Sequence, residues 1–376
     1  MENSVKTHKP SYIIVGLALF SMFFGSGNLI FPLMLGRDAG SAFVISALGF
    51  ILSAVLIPCL GVIAIAFAEG NYDKIFGAMF RPQISNILIF IILLSFIPFG
   101  AGPRCVVLAH ASLNSFVPMP ALWLFSALFL GLVWYLIHDR SHLIDNLGKI
   151  LTPLLLVCIS IMVVSAFIHG EVDPPTASNY ELFKNSLLEG YNTQDLFSSL
   201  FFSSSLIMLM RSAFTQKREL IYTMLKGSLI GILLLTILYV FLIAASSLHS
   251  DILVGHSGVD LVSILAKHTL GPRWGLVAGF AVALACLTTA VALIMAFSEF
   301  LIAHILVKKY HKLAVPMSLL SVYLTSLLAF EGIMALISPL MKIIYPLVVI
   351  IVVRYLFELW SKHKANKASG LDQLKF

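Results

Sequence analysis

The chain predicts an all-α, polytopic membrane protein with about ten transmembrane helices. They form a five-plus-five inverted repeat in which helices one and six are broken. Three observations carry this. Of 376 residues, 59% are hydrophobic and only 11% charged, and the mean hydropathy is +0.98. Apolar runs near the ~20 residues needed to cross a bilayer recur along the chain. Polar residues interrupt the first run at Phe24-Gly25-Ser26-Gly27-Asn28-Leu29-Ile30-Phe31-Pro32 and the sixth at Phe201-Phe202-Ser203-Ser204-Ser205-Leu206.

In order, the runs fall at about 11–35, 41–67, 84–115, 121–138, 147–168, 195–213, 221–247, 273–306, 314–330 and 333–357. Residues 1–168 are expected to form the first repeat, 169–194 an extracytoplasmic loop, 195–357 the second repeat and 358–376 a cytoplasmic tail. With the N-terminus inside, 18 of the 24 Lys and Arg fall on inner segments, 4 on outer ones, and Arg104 and Lys342 within spans. That asymmetry and an even span count put both termini in the cytoplasm. The polar start leads into an apolar run longer than a signal peptide's, with no small-residue cleavage site, so an uncleaved start is expected. Four cysteines inside apolar runs, without CxxC spacing, argue against disulfides and metal sites. The net charge of +6 is explained by loop orientation, and no nucleic-acid partner is expected; the surrounding partner is the lipid bilayer.

The first span is poorly made for a continuous helix. Two glycines each cost about 1 kcal/mol of helix propensity, and Pro32 lacks the N–H that would bond one turn back, near residue 28. Free backbone groups survive in hydrocarbon only where protein, water, ion or solute satisfies them. The chain is therefore expected to unwind between Gly25 and Asn28; the alternative is a packing notch or a proline kink. An unwound helix offers N–H groups that suit a carboxylate and C=O groups that suit a small cation. An amino acid uses both.

In the sixth span, serine hydroxyls compete with the backbone ladder, although serine also serves simple helix packing. Broken first helices in two inverted halves point to a secondary transporter's binding site. The candidate substrate-binding set is Phe24, Gly25, Ser26, Gly27, Asn28, Phe202, Ser203, Ser204 and Arg104. Phe23, Phe24, Phe201, Phe202 and Ile207 would favour an apolar substrate side chain, unless they simply face lipid or core. A hard cation needs about five or six oxygens. Thr288 and Thr289 of span eight could join carbonyls of Ser21 and Phe24, against the alternative of hydroxyls bonding back to their own helix.

Arg104 follows Pro98-Phe99-Gly100-Ala101-Gly102-Pro103, and an ionisable residue at such depth faces a cavity or a partner. It would meet a substrate carboxylate, act in a gate or pair with a carbonyl. Lys342 reads as a gating or proton-coupling amine, or as a side chain reaching for the interface. Glu299 reads as an inner-gate partner or a solvated acid. His110 gets no role. Hydrolytic and ATP-binding motifs are missing, so the chain is not read as an enzyme, and uphill work would draw on an ion gradient.

Phe24–Pro32 resembles the first-helix signature of the bacterial branched-chain amino acid:cation symporter family. Further matches follow in order: Pro103-Arg104, Asn146-Leu147-Gly148-Lys149-Ile150-Leu151-Thr152-Pro153-Leu154, Gly190-Tyr191-Asn192-Thr193-Gln194-Asp195, Ala285-Cys286-Leu287-Thr288-Thr289-Ala290, Ser298-Glu299-Phe300 and Ile344-Tyr345-Pro346. The resemblance implies the leucine-transporter-like fold of the amino acid-polyamine-cation superfamily, in a bacterial cytoplasmic (inner) membrane. It further implies symport, with Na+-coupled uptake of leucine, isoleucine and valine. By motif match the amino acid goes to Gly25, Ser26, Gly27 and Asn28, and Na+ to the space between span one and Thr288 and Thr289, with an Ala285 carbonyl. No cofactor is implied beyond the coupling ion. Family members usually carry further spans after the tenth, have glycine where Ser203 stands, and are uncharged at the position of Lys342. These departures keep other readings open: a proton-coupled transporter of another apolar amino acid such as methionine, or an amino acid sensor that does not transport.

Overall fold

The computed structural model describes residues 9–138, 149, 152–168, 170, 171 and 173–368. The motif around Asn146-Leu147-Gly148 and most of the expected start of span five lie outside the described residues. Among the described residues every regular element is helical. Six stretches are long and apolar enough to cross a membrane: Ser26–Phe67, Pro82–Asn114, Asn179–Ala213, Lys217–Ser247, Arg273–Ile305 and Ala329–Lys362. Shorter apolar helices add Tyr12–Phe23, Leu122–His138 and Thr152–Ala166, and Ala314–Ser326 completes the set.

Span one consists of two half-helices, Tyr12–Phe23 and Ser26–Ala39, with Phe24 and Gly25 between them. The interruption is shorter and earlier than expected. Gly25 is extended (φ −118°, ψ −155°), and its N–H donates to Asn28 Oδ1 at 3.1 Å. That side chain caps the second half-helix, so helical backbone resumes at Ser26 and runs on through Pro32.

Span two joins Phe43–Ile51 to Ile57–Phe67 through a π turn at Leu52–Leu56. Span three does the same, Pro82–Phe96 to Gly102–Asn114, through Ile97–Ala101. π turns leave backbone groups free for other partners, and the Pro98 carbonyl accepts from Thr325 of span nine. Spans four, five and seven are Leu122–His138, Thr152–Ala166 and Lys217–Ser247. Span eight lies in Leu261–Phe300, whose path bends at Gly271 (φ 74°), and span ten in Ala329–Ala368.

Span six corrects the sequence reading twice. The serine run Ser203–Ser205 sits inside a continuous helix, Asp195–Met210. The interruption comes earlier, at Thr193 and Gln194, and Gln194 takes the left-handed conformation (φ 65°, ψ 20°). Residues 169–194, expected as a loop, supply the first half-helix of the span, Asn179–Asn192. Glu181, Lys184 and Glu189 gave that stretch the look of a loop. Its start was nonetheless encoded: Ser178 Oγ accepts from Glu181 N at 3.4 Å while Ser178 N donates to Glu181 Oε2 at 3.3 Å, a capping box written Ser-x-x-Glu.

The packing shows the inverted repeat directly. Both halves of span one lie on span seven, and both halves of span six lie on span two. Span five lies on span eight, span ten on span three, span four on span nine, and spans three and eight meet at the centre. Exchanging the two five-helix sets leaves these pairings unchanged, which is what a pseudo-two-fold axis in the membrane plane requires.

Candidate functional site

The break of span one faces span eight. Phe24 keeps its N–H on Phe20 O at 2.8 Å, but its ψ of 85° swings its own carbonyl out of the helical ladder. The Ser21 carbonyl loses the donor that a continuous helix would supply at Gly25. It accepts instead from Thr288 Oγ1 at 2.9 Å and from Thr289 Oγ1 at 3.4 Å. Thr288 Oγ1 also reaches the Ala285 carbonyl at 3.0 Å. Ser21, Ala285, Thr288 and Thr289 therefore come together as the sequence suggested, all buried. Gly25 is what lets the spans close: a Cβ there would stand 2.8 Å from Thr289 Cγ2 and 2.9 Å from its Oγ1.

On the other side of the break, Ser26, Gly27 and Asn28 open the second half-helix, whose first N–H groups have no intrahelical acceptor. Ser26 Oγ accepts from Cys105 Sγ of span three at 3.8 Å. Gly27 presses against the second break, where a Cβ would come within 3.3 Å of Thr193 Cα. The two interruptions thus adjoin.

The span-six break is held by charge. Arg104, 1% exposed, donates from Nη1 to the Asn192 carbonyl at 2.9 Å and from Nη2 to Gln194 Oε1 at 2.7 Å. Its guanidinium carbon also lies 5.9 Å from the centre of the Phe31 ring, a cation–π distance. The sequence offered carbonyl pairing, gating and substrate contact for Arg104; the structure shows the carbonyl pairing, aimed at span six.

Asp195, the first residue after this break, is buried and was missed as a site residue. Its Oδ2 accepts from Asn28 Nδ2 at 2.8 Å and from the Tyr239 hydroxyl at 3.1 Å, and Asn28 Nδ2 also donates to the Tyr239 hydroxyl. Thr193 Oγ1 accepts from Asp195 N at 3.3 Å. The acid stands at the head of an apolar run, where composition alone reads it as interfacial. Its presence in the Gly190–Asp195 motif was the available signal.

The serine run serves another end. Ser203 lies nine residues past Gln194, roughly 13 Å down the helix at 1.5 Å per residue. Ser204 donates to the Gly70 carbonyl and Ser205 to Glu299 Oε2, so Ser204 is bound to a loop and is not gathered with Gly25–Asn28. Ser203 Oγ is buried without a hydrogen-bond partner. Phe202 does reach span one, stacking on Phe23 at 6.1 Å. Nearby, Lys217 bridges Glu69 at 3.0 Å and holds that carboxyl below its usual range, mainly through the hydrogen bond. Glu299 thus belongs to a latch of span-two loop, span six and span eight. Lys342 is exposed on span ten.

Inverted halves, two adjoining broken helices and buried polar groups at both breaks define a membrane transporter of the broken-helix class. The branched-chain amino acid transport protein family matches residues 8–371, and the chain belongs to that family. It is 31% identical over 370 residues to a chain designated a branched-chain amino acid carrier protein in Staphylococcus aureus (strain MRSA252), covering 90% of this chain and 80% of the relative. It is also 31% identical over 357 residues to the branched-chain amino acid permease BraB of Bacillus subtilis (strain 168), covering 91% and 78%. The fold matches the crystal structure of MhsT in complex with L-phenylalanine, with a TM-score of 0.62, 16% identity, and 92% of this chain and 88% of the other covered.

Proposed function

We propose that the chain imports leucine, isoleucine and valine together with Na+, by alternating access around the two adjoining breaks. The observation that carries this is the turning of the Ser21 carbonyl, freed at Gly25, toward Thr288 and Thr289. The donor set there is oxygen only and neutral, which suits a hard monovalent cation. Sodium brings the charge that draws a substrate carboxylate to the free N–H groups of Ser26 and Gly27. Arg104 adds a second positive centre beside it. Phe202, stacked on Phe23 and tilted against Phe96, supplies with them an apolar wall for a branched side chain. Spans one and six, resting on seven and two, are the movable set, and the paired spans three and eight the fixed one. The latch at Glu69, Ser204, Ser205 and Glu299 closes the cytoplasmic end, with both termini on that side of a bacterial inner membrane.

Proteoliposomes holding the purified chain should accumulate labelled leucine when Na+ is high outside and fail to do so without a Na+ gradient. Lack of accumulation of leucine, isoleucine and valine under both sodium and proton gradients would remove the substrate class, and saturable binding without accumulation would make the chain a sensor. Thr289→Val should raise the half-saturating Na+ concentration about tenfold, equivalent to about 1.4 kcal/mol of ion binding, with leucine affinity at saturating Na+ little changed.

A further inference from the structure

We propose that a cavity at the corner between spans six and seven binds a second amino acid, a zwitterion with an apolar side chain, away from the two breaks. The cavity holds about 190 Å3, below the ~300–1,000 Å3 of sites that take drug-sized ligands. That suits a single amino acid rather than a nucleotide. It stands at the end of the molecule that also carries Lys9, whose ammonium donates to Glu219 Oε2 of span seven at 2.8 Å, and that end is the cytoplasmic one in the reading above.

The lining divides by chemistry. Ile207, Phe214 and Leu220 form an apolar side, while Glu69, Arg211 and Lys217 bring charges of both signs to the same space. Among the described residues no carboxylate pairs with Arg211, which is exposed. Glu69 is paired with Lys217 at 3.0 Å, but 32% and 72% of these side chains are exposed, and such a pair exchanges partners readily. A ligand ammonium can replace Lys217 on Glu69, leaving Lys217 and Arg211 to share the ligand carboxylate. An anionic lipid headgroup fits less well, because Glu69 repels it and offers it nothing in return.

The occupant acts on the latch. Gly70 follows Glu69 and accepts from Ser204 of span six, and a Cβ on it would stand 3.0 Å from Ile207 Cγ2. A molecule held between Glu69 and Arg211 therefore ties the span-two loop to the end of span six, across the contact that parts when the cytoplasmic end opens. Amino acid accumulating inside would hold the latch shut and slow further uptake. This consequence rests on the transport reading; the binding site does not.

Equilibrium dialysis of labelled leucine against the full chain in phosphatidylcholine nanodiscs, at saturating Na+, should resolve a tight and a weaker class of site. Arg211→Gln should weaken the second class about tenfold, as loss of a charged contact does, and leave the tight class unchanged. Isocaproate, which is leucine without its ammonium, should compete for the weaker class about tenfold less well than leucine. The proposal is overturned by a single class of site, by a weaker class indifferent to Arg211→Gln, by equal competition from isocaproate, or by loss of the weaker class when anionic phosphatidylglycerol replaces the neutral lipid. If Arg211→Gln does not fold, Phe214→Ala should weaken the same class severalfold, and unchanged binding there overturns the proposal instead. In proteoliposomes, leucine preloaded inside should slow initial Na+-driven uptake more in wild type than in Arg211→Gln; equal slowing would overturn the effect on the latch. A chain that never accumulates leucine yet keeps the Arg211-dependent class would defeat the transport reading and leave this site standing.

Discussion

The two breaks occupy equivalent places in the inverted halves but are built from opposite materials. At Phe24–Gly25 the neighbours are neutral: two threonine hydroxyls, a carboxamide and glycine, whose missing side chain allows span eight to approach. At Thr193–Gln194 they are ionisable side chains: Arg104 donates to the end of one half-helix and Asp195 begins the other. A neutral oxygen nest is suited to holding an ion loosely enough to release it. A charged cross-brace inside a low-dielectric interior is stiff, because each partner left behind would be an uncompensated charge or an orphan acceptor. The difference suggests a division of labour, with span one exchanging ligands and span six transmitting their arrival to span three.

The comparison can be broken most forcefully at Arg104. Arg104→Met keeps the apolar stem and strands the Asn192 carbonyl and Gln194 Oε1, each unpaired group costing about 1–3 kcal/mol. Leucine binding should fall at least a hundredfold, or the chain should lose its sharp thermal transition; near-normal binding would mean the span-six break does not need its brace. The next largest effect should come from Gly25→Ala, which leaves every charge in place and forces Thr289 away from the break. The half-saturating Na+ concentration should rise roughly tenfold, about 1.4 kcal/mol, with much less loss of thermal stability than in Arg104→Met. Equal loss of stability in the two variants would erase the distinction between a nest and a brace.

The smallest effect tests whether charge outside the membrane matters in the same way. The Glu69 carboxyl is held low by Lys217, so its contribution is present above the ordinary carboxylate range and is lost as pH falls through the lowered value. Glu69→Gln should therefore lower the unfolding temperature slightly at neutral pH and match wild type in acid, since exposed ion pairs are worth only about 0–1 kcal/mol. A large neutral-pH loss would make the latch a structural brace like Arg104.

Much of this was legible in one dimension. Ten spans, the inverted halves and the interruption at Gly25 follow from apolar run length and from glycine, because a bilayer forbids unpaired backbone except at special places. Ser21, Ala285, Thr288 and Thr289 were named from polarity at mid-span and from motif resemblance, and they do converge. The span-six break was misplaced for a physical reason. Gln194 adopts φ 65° without the glycine that announces such a turn, while two of the three serines that looked like an interruption send their hydroxyls across to Gly70 and Glu299.

The sequence by itself determined the membrane class, the number of crossings, the family and one of the two breaks, because these depend on hydrophobic length and local backbone freedom. Only the tertiary structure decided where Arg104 points, that Asp195 is interior, and that Ser204 and Ser205 bond to Gly70 and Glu299. Those outcomes depend on which helices become neighbours, and a charge at the end of an apolar run looks the same in one dimension whether it meets water or a partner 167 residues away.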